Sequence, residues 1–294
     1  MRLTAYLKAH NKNNMKKNFI RIIPKLDIKN GQLIKGINLE GLRILGDPFE
    51  FAQHYYKSLA DEICYIDNVA TLYGTNNLSS FISRTASNIF IPLSVGGGIR
   101  TIDDIERMLK SGADKVCINS AAVNNINFLK KATRIFGSST ITVMIEYVKI
   151  GKKYFISTST GRDLVNINPL DWAKKVEDFG AGEIFLTSIN NEGIKMGFDI
   201  KVIKEISKNV SIPVIAHGGA GNPQHIYEVI KNSNISGVAL SSVLHYDIAH
   251  IFKYQRSGIG NFSYLENLKK KIKPTNNLLK IKKFLKKKGL NVRI

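Results

Sequence analysis

Cysteine is nearly absent: the 294 residues contain two, Cys64 and Cys117, and both lie inside apolar runs. Such a pair reads as buried free thiols rather than a disulfide framework or metal site, and it fits a reducing cytoplasm. No apolar run reaches the roughly 18 residues that a transmembrane helix needs. The opening stretch, MRLTAYLKAHNKNNMKKNF, has no apolar core followed by a small-residue cleavage site. Residues 1–18 are therefore expected to be a short extension, not a secretory signal. Acidic residues are also scarce, 23 against 43 lysines and arginines, for a net charge of +20. Much of that excess sits near the two ends, in KKNFIR, LKKKIKP and KIKKFLKKKG. These runs lack interleaved aromatics for base stacking, and no RNA-binding or zinc motif accompanies them, so they read as solvated helix faces without a nucleic-acid partner. The same charge favours anionic, phosphorylated substrates.

The chain does contain a long internal repeat. IPLSVGGGIRTIDDIERMLKSGADKVCINSAAV, from Ile91, aligns with IPVIAHGGAGNPQHIYEVIKNSNISGVALSSVL, from Ile212. The match extends upstream, where Glu62 corresponds to Glu183 and Asp27 to Glu146. Each copy holds four apolar strand-like runs separated by amphipathic stretches. The first four lie near 20–28, 62–67, 91–96 and 114–119, the second four near 140–147, 183–188, 212–217 and 236–241. Thr101, Asp103 and Asn222 offer helix-start chemistry, Gly112 and Gly180 stops. Alternating strand and helix implies parallel strands, and four plus four implies closure. The expected fold is an α/β (β/α)8 TIM barrel over residues 19–294, built from two similar half-barrels, about 20–139 and 140–294. VKIGKKYFISTSTGRD after Glu146 reads as a hairpin or mobile loop, and about 247–275 as an insertion.

In such a barrel the active site lies at the C-terminal ends of the strands. Gly97 and Gly98 follow the third strand, Gly218 and Gly219 the seventh. Glycine loops that open helices let backbone N–H groups approach an anion closely. Asn119 ends the fourth strand, and Ser241 and Ser242 follow the eighth. A lone Gly-Gly could be only a tight turn. Two, each beside a polar strand end, read as twin phosphate cradles for an elongated substrate with a phosphate at each end. Asp27 and Glu146 end strands one and five, so they would face each other across the mouth as general acid and base. Asp67, Asn119 and Thr187 could orient substrate. Lys35 either meets a phosphate or closes a loop. Arg21, Glu62, Lys115 and Glu183 would form a ring of alternating charge at the opposite end, where ion pairing for stability is the ordinary role. No cofactor or metal motif is present.

RIIPKLDIKNGQLIKGINLEGLRILGDP, FIPLSVGGGIRTIDD, GADKVCINSAAV, GAGEIFLTS and IPVIAHGGAGN together resemble the cyclase subunit family of imidazole glycerol phosphate synthase, over about residues 19–247 and the C-terminal helix. The resemblance implies a duplicated barrel working with a glutamine amidotransferase partner. Ammonia from that partner would cross the barrel and react with a phosphoribulosyl aminoimidazole carboxamide nucleotide, giving imidazole glycerol phosphate in histidine biosynthesis. It implies that Asp27 is the first catalytic aspartate and that Arg21, Glu62, Lys115 and Glu183 form the ammonia gate. Gly97, Asn119, Gly219 and Ser242 would take phosphate-cradle positions, Lys35 a loop folding over substrate, and Asp114 the docking face. The mouth departs from the family pattern: Glu146 stands for a second aspartate, Asn190 and Glu192 for aspartates, His217 for a serine and Lys25 for a cysteine. Three readings follow. One is a cyclase that tolerates these changes. A second is a paralogue channelling ammonia to a sugar of surface polysaccharides. The third is a non-catalytic partner that activates a glutaminase.

Overall fold

The computed structural model describes residues 19–68, 78–249 and 277–294. The 1–18 extension, and the insertion beyond Ala249, lie outside the described residues. β1 (Arg21–Lys29) runs into an antiparallel pair, β2 (Gln32–Ile37) and β3 (Glu40–Gly46). Next come β4 (Ile63–Asp67), β5 (Leu93–Gly96), β6 (Lys115–Ile118) and β7 (Ile141–Ile150). β8 (Lys153–Thr158) and β9 (Asp163–Val165) fold back antiparallel, confirming a hairpin after Glu146. β10 (Glu183–Ser188), β11 (Val214–His217) and β12 (Gly237–Leu240) complete the set.

β1, β4, β5, β6, β7, β10, β11 and β12 pair in parallel, each with the next, and β12 returns to β1. The sheet therefore closes into the expected (β/α)8 barrel. Strand alternation divides the core in two. Ile22, Leu26 and Ile28 of β1 point outward into one large cluster beneath the helices. Ile23 points inward to a smaller cluster with Cys64, Ile66, Cys117, Met144, Phe185, Ile215 and Ala239. Ile22 and Leu26 are fully buried, so truncating either to alanine should cost about 2–5 kcal/mol.

The helices begin where their sequences place caps. Thr101 and Asp104 form a capping box before helix Ile102–Lys110, while Asp103 lies in its first turn. Asn222 caps helix Pro223–Asn232. The lysine-rich C-terminal helix, Leu278–Lys287, is only partly a solvated face. Lys280, Lys283, Lys286 and Lys287 are exposed, but Lys282 is fully buried and pairs with Asp61 at 2.8 Å. Asp61 also accepts from the Ile22 backbone N–H at 2.8 Å, which ties this helix to the start of the barrel. No described helix is long and apolar enough to cross a membrane.

Candidate active site

The N-terminal floor of the barrel is a ring of four charges contributed by strand starts. Arg21 pairs with Glu62 at 2.8 Å and with Glu183. Lys115 pairs with Glu183 at 2.9 Å and with Glu62 at 3.5 Å. Each carboxylate is thus shared by two cations, and Ser94 Oγ also donates to Glu62 at 2.5 Å. Both carboxylates are buried, so breaking the ring would leave buried carboxylates without their cations. Above the floor the interior cluster is apolar and contains both cysteines as buried free thiols. An apolar layer between two charged layers is costly for an ion to enter.

The mouth holds a second charge network, entirely buried. Alternation along β1 directs Arg21, Ile23, Lys25 and Asp27 inward at rising levels. Lys25 Nζ bonds Asp27 Oδ1, and Lys35 Nζ reaches Asp27 Oδ2 at 3.5 Å and Glu192 Oε1 at 2.5 Å. Burial alone would raise the Asp27 pKa. Lys25 and Lys35 override it and hold the carboxyl well below its ordinary range. Glu146 differs. Burial lifts its pKa to about 7; Lys25 tempers the rise, and Asp27 and Glu192 add to it. Its nearest donor is Asn119 Nδ2, a neutral amide at 3.2 Å. Two carboxyls in one basin are thereby driven apart, one held ionised and one able to carry a proton near neutrality. Such a split is an arrangement suited to acid–base chemistry.

The two glycine loops flank this basin. Gly97 has φ +99°, and a Cβ there would lie 2.2 Å from the Asp67 carbonyl oxygen, so only glycine fits. Beside it opens a cleft of about 530 Å³ lined by Asp67, Gly97, Gly98, Asn119, Ser120 and Glu146 among others. The turn between β8 and β9 roofs it: Ser159 N–H donates to Ser120 Oγ at 3.1 Å, and Thr160 Oγ1 to the Asn68 carbonyl at 3.0 Å. The second loop is covered more tightly. Gly219 accepts from the Gly197 N–H at 2.7 Å, and a Cβ on Gly219 would sit 2.0 Å from the Gly197 carbonyl oxygen. Ser242 Oγ, buried beside this loop's neighbouring strand end, has no hydrogen-bond partner among the described residues.

The residues expected at the substrate side therefore gather at the C-terminal end and the ring residues at the other, with some partners that the sequence did not reveal. Thr187 Oγ1 lies 3.2 Å from His217 Nδ1, and Ser241 Oγ 3.4 Å from His217 Nε2. Burial, with Lys25 and Lys35 adding to it, lowers the His217 pKa well below its ordinary value, so His217 is a neutral imidazole rather than a phosphate-binding cation. Lys35 is buried against Asp27 and Glu192 rather than presented to a phosphate. Asn190 fixes the long strand β7, accepting from Lys149 N–H at 2.7 Å. Sequence reasoning missed His245. Its Nε2 meets the Lys25 carbonyl at 2.8 Å and its Nδ1 meets Tyr55 Oη at 2.6 Å. Only the position of His245, just past a strand end, could have drawn attention to it.

A closed parallel barrel with paired glycine loops and opposed carboxyls at its C-terminal mouth has the architecture of the (β/α)8 enzymes, built here from two similar halves. Residues 21–250 match the family model described as histidine biosynthesis protein. The imidazole glycerol phosphate synthase subunit HisF of Legionella pneumophila is 50% identical over 203 residues, covering 69% of this chain and 96% of the relative. The subunit of the same name from Sulfurisphaera tokodaii is 45% identical, covering 77% and 90%. That from Methanocaldococcus jannaschii is 44% identical, covering 80% and 94%. The chain belongs to the HisF family of the histidine biosynthesis proteins.

Proposed function

We propose that the protein is the cyclase subunit of an imidazole glycerol phosphate synthase, the enzyme its relatives are named for, and that it acts in histidine biosynthesis, as the family description suggests. The observation that carries this reading is the pair of buried mouth carboxyls between two glycine loops, Asp27 paired with Lys25 and Lys35, and Glu146 beside the neutral Asn119 amide with its pKa lifted to about 7 by burial. A bis-phosphorylated aminoimidazole carboxamide nucleotide would place one phosphate at Gly97, Gly98 and Asn119 and the other at Gly218, Gly219 and Ser242. Its reacting atoms would then lie over the two carboxyls. Asp27 takes a proton from the attacking nitrogen, and Glu146 gives one to the departing group. Asp67 and Thr187 orient the substrate between the loops.

The attacking nitrogen is ammonia, released by a glutamine amidotransferase partner docked at the floor, on the side of Asp114. The ring of Arg21, Glu62, Lys115 and Glu183 is the gate it passes, and the apolar layer above it disfavours a charged molecule over a neutral one. The paired ion geometry supports this reading, because one displaced cation would open the ring.

The test uses purified protein, saturating ammonium salt and the nucleotide, followed by loss of substrate absorbance. Turnover without any glutaminase is expected. No turnover, together with stimulation of an added glutaminase, would replace the cyclase with a purely activating subunit.

A further inference from the structure

Lys25 stands at the level between the apolar layer and the reacting mouth, 3% exposed. Two side chains clamp its backbone. Ser241 Oγ donates to its carbonyl at 2.9 Å, and His245 Nε2 meets the same oxygen at 2.8 Å. A carbonyl only accepts, so His245 carries its proton on Nε2 and receives the Tyr55 hydroxyl on Nδ1. Tyr55, His245 and Ser241 thus form a fixed support, drawn from a helix, the segment after β12 and the end of β12. The Lys25 side chain faces inward from it, and its ammonium bonds Asp27.

The geometry points to Lys25 as a positioning residue for Asp27: its buried ammonium, carried on a clamped backbone, holds that carboxyl in place at the mouth. This rests on the reading of Asp27 and Glu146 given above. The titratable groups that interact with Lys25 are Asp27, Cys64, Glu146, Glu192, His217 and His245, and Lys35 lies on the other oxygen of Asp27. Asp27 and Glu192 hold Lys25 protonated, against the burial that would lower its pKa. Glu146 feels the same charge, so loss of Lys25 should shift both carboxyls in one direction. Lys35 alone cannot replace it, because at 3.5 Å it is shared between Asp27 and Glu192.

The experiment compares the wild type with Lys25→Met and Lys25→Arg in the full chain, with folding checked by circular dichroism. Carboxyl-carbon NMR titration of Asp27 should show its pKa rising by at least about one unit in Lys25→Met and little change in Lys25→Arg. With ammonium as nitrogen source, both limbs of the pH–rate profile should move to higher pH in Lys25→Met, with kcat reduced more than KM changes. An unmoved Asp27 titration in folded Lys25→Met would overturn the role. So would a loss of rate equal at every pH and shared by Lys25→Arg, which marks a structural residue. The NMR readout needs no turnover. A wild type inactive with ammonium would defeat the cyclase reading while leaving this electrostatic assignment to be decided by the titration.

Discussion

The two half-barrels carry equivalent glycine loops, yet the first borders a cleft of about 530 Å³ and the second is packed against Gly197. Each half also extends a hairpin over the other. The β2–β3 hairpin reaches the segment after β10, where Asn38 N–H donates to the Glu192 carbonyl at 2.8 Å. The β8–β9 turn reaches back to Asn68 and Ser120. Both contacts cross the internal symmetry, but the first also brings a buried charge into the mouth. Lys35 arrives on its hairpin, pairs with Glu192 and meets a network that includes His217. A duplicated backbone thus sets two equivalent supports, and a few buried side chains make them inequivalent. The same difference separates Asp27, surrounded by cations, from Glu146, whose nearest donor is an amide.

The largest expected effect breaks the pair outright. Asp27→Asn should lower ammonium-driven turnover by about a thousandfold, within the range for loss of a positioned base. A loss below tenfold in a folded variant would remove Asp27 from the chemistry. The partner carboxyl gives a thermodynamic signature. With its pKa lifted from the ordinary 4.5 to about 7, Glu146 keeps in the folded chain a proton that the unfolded chain releases. Stability should therefore fall as pH rises between those values, by at most about 3 kcal/mol, and Glu146→Gln should abolish that slope. Urea unfolding at pH 5 and pH 8 measures it. Asp27 contributes in the opposite sense, and only as pH falls below its ordinary 3.8.

At the floor, both halves supply one ring, so the comparison disappears there. Lys115→Ala should cut glutamine-supported turnover by about tenfold, a difference near 1.4 kcal/mol, with ammonium-supported turnover changing much less. Equal losses would reduce the ring to a structural feature. The smallest effect sharpens the contrast at the mouth. Lys35→Met leaves Glu192 buried without its cation, so amide exchange in β2 should speed about tenfold while the β8–β9 turn is unchanged. Faster exchange at both hairpins would mean that the two lids act as one.

Much of this arrangement was legible in the chain. The repeat gave eight strands within two or three residues of their observed ends, because alternation and glycine stops are local properties. Asp27, Glu146, the glycine loops and the floor ring followed from strand ends and starts alone. Lys25 and Glu192 were visible only as departures from a pattern, and His245 was not visible at all. Their roles depend on distances across the barrel, such as the 220 residues that separate Lys25 from His245. Local chain geometry carries no information about such contacts.

The amino-acid sequence by itself determined the duplicated barrel, the end at which chemistry lies and the two carboxyls facing the mouth. Period-two alternation and the C-terminal location of barrel sites leave little freedom in those features. Tertiary structure alone decided the surroundings that push the two carboxyls' pKa values apart and which glycine loop is covered. Both depend on burial and on charges brought together from distant strands, and a carboxyl's pKa is set by those neighbours rather than by its position in the chain.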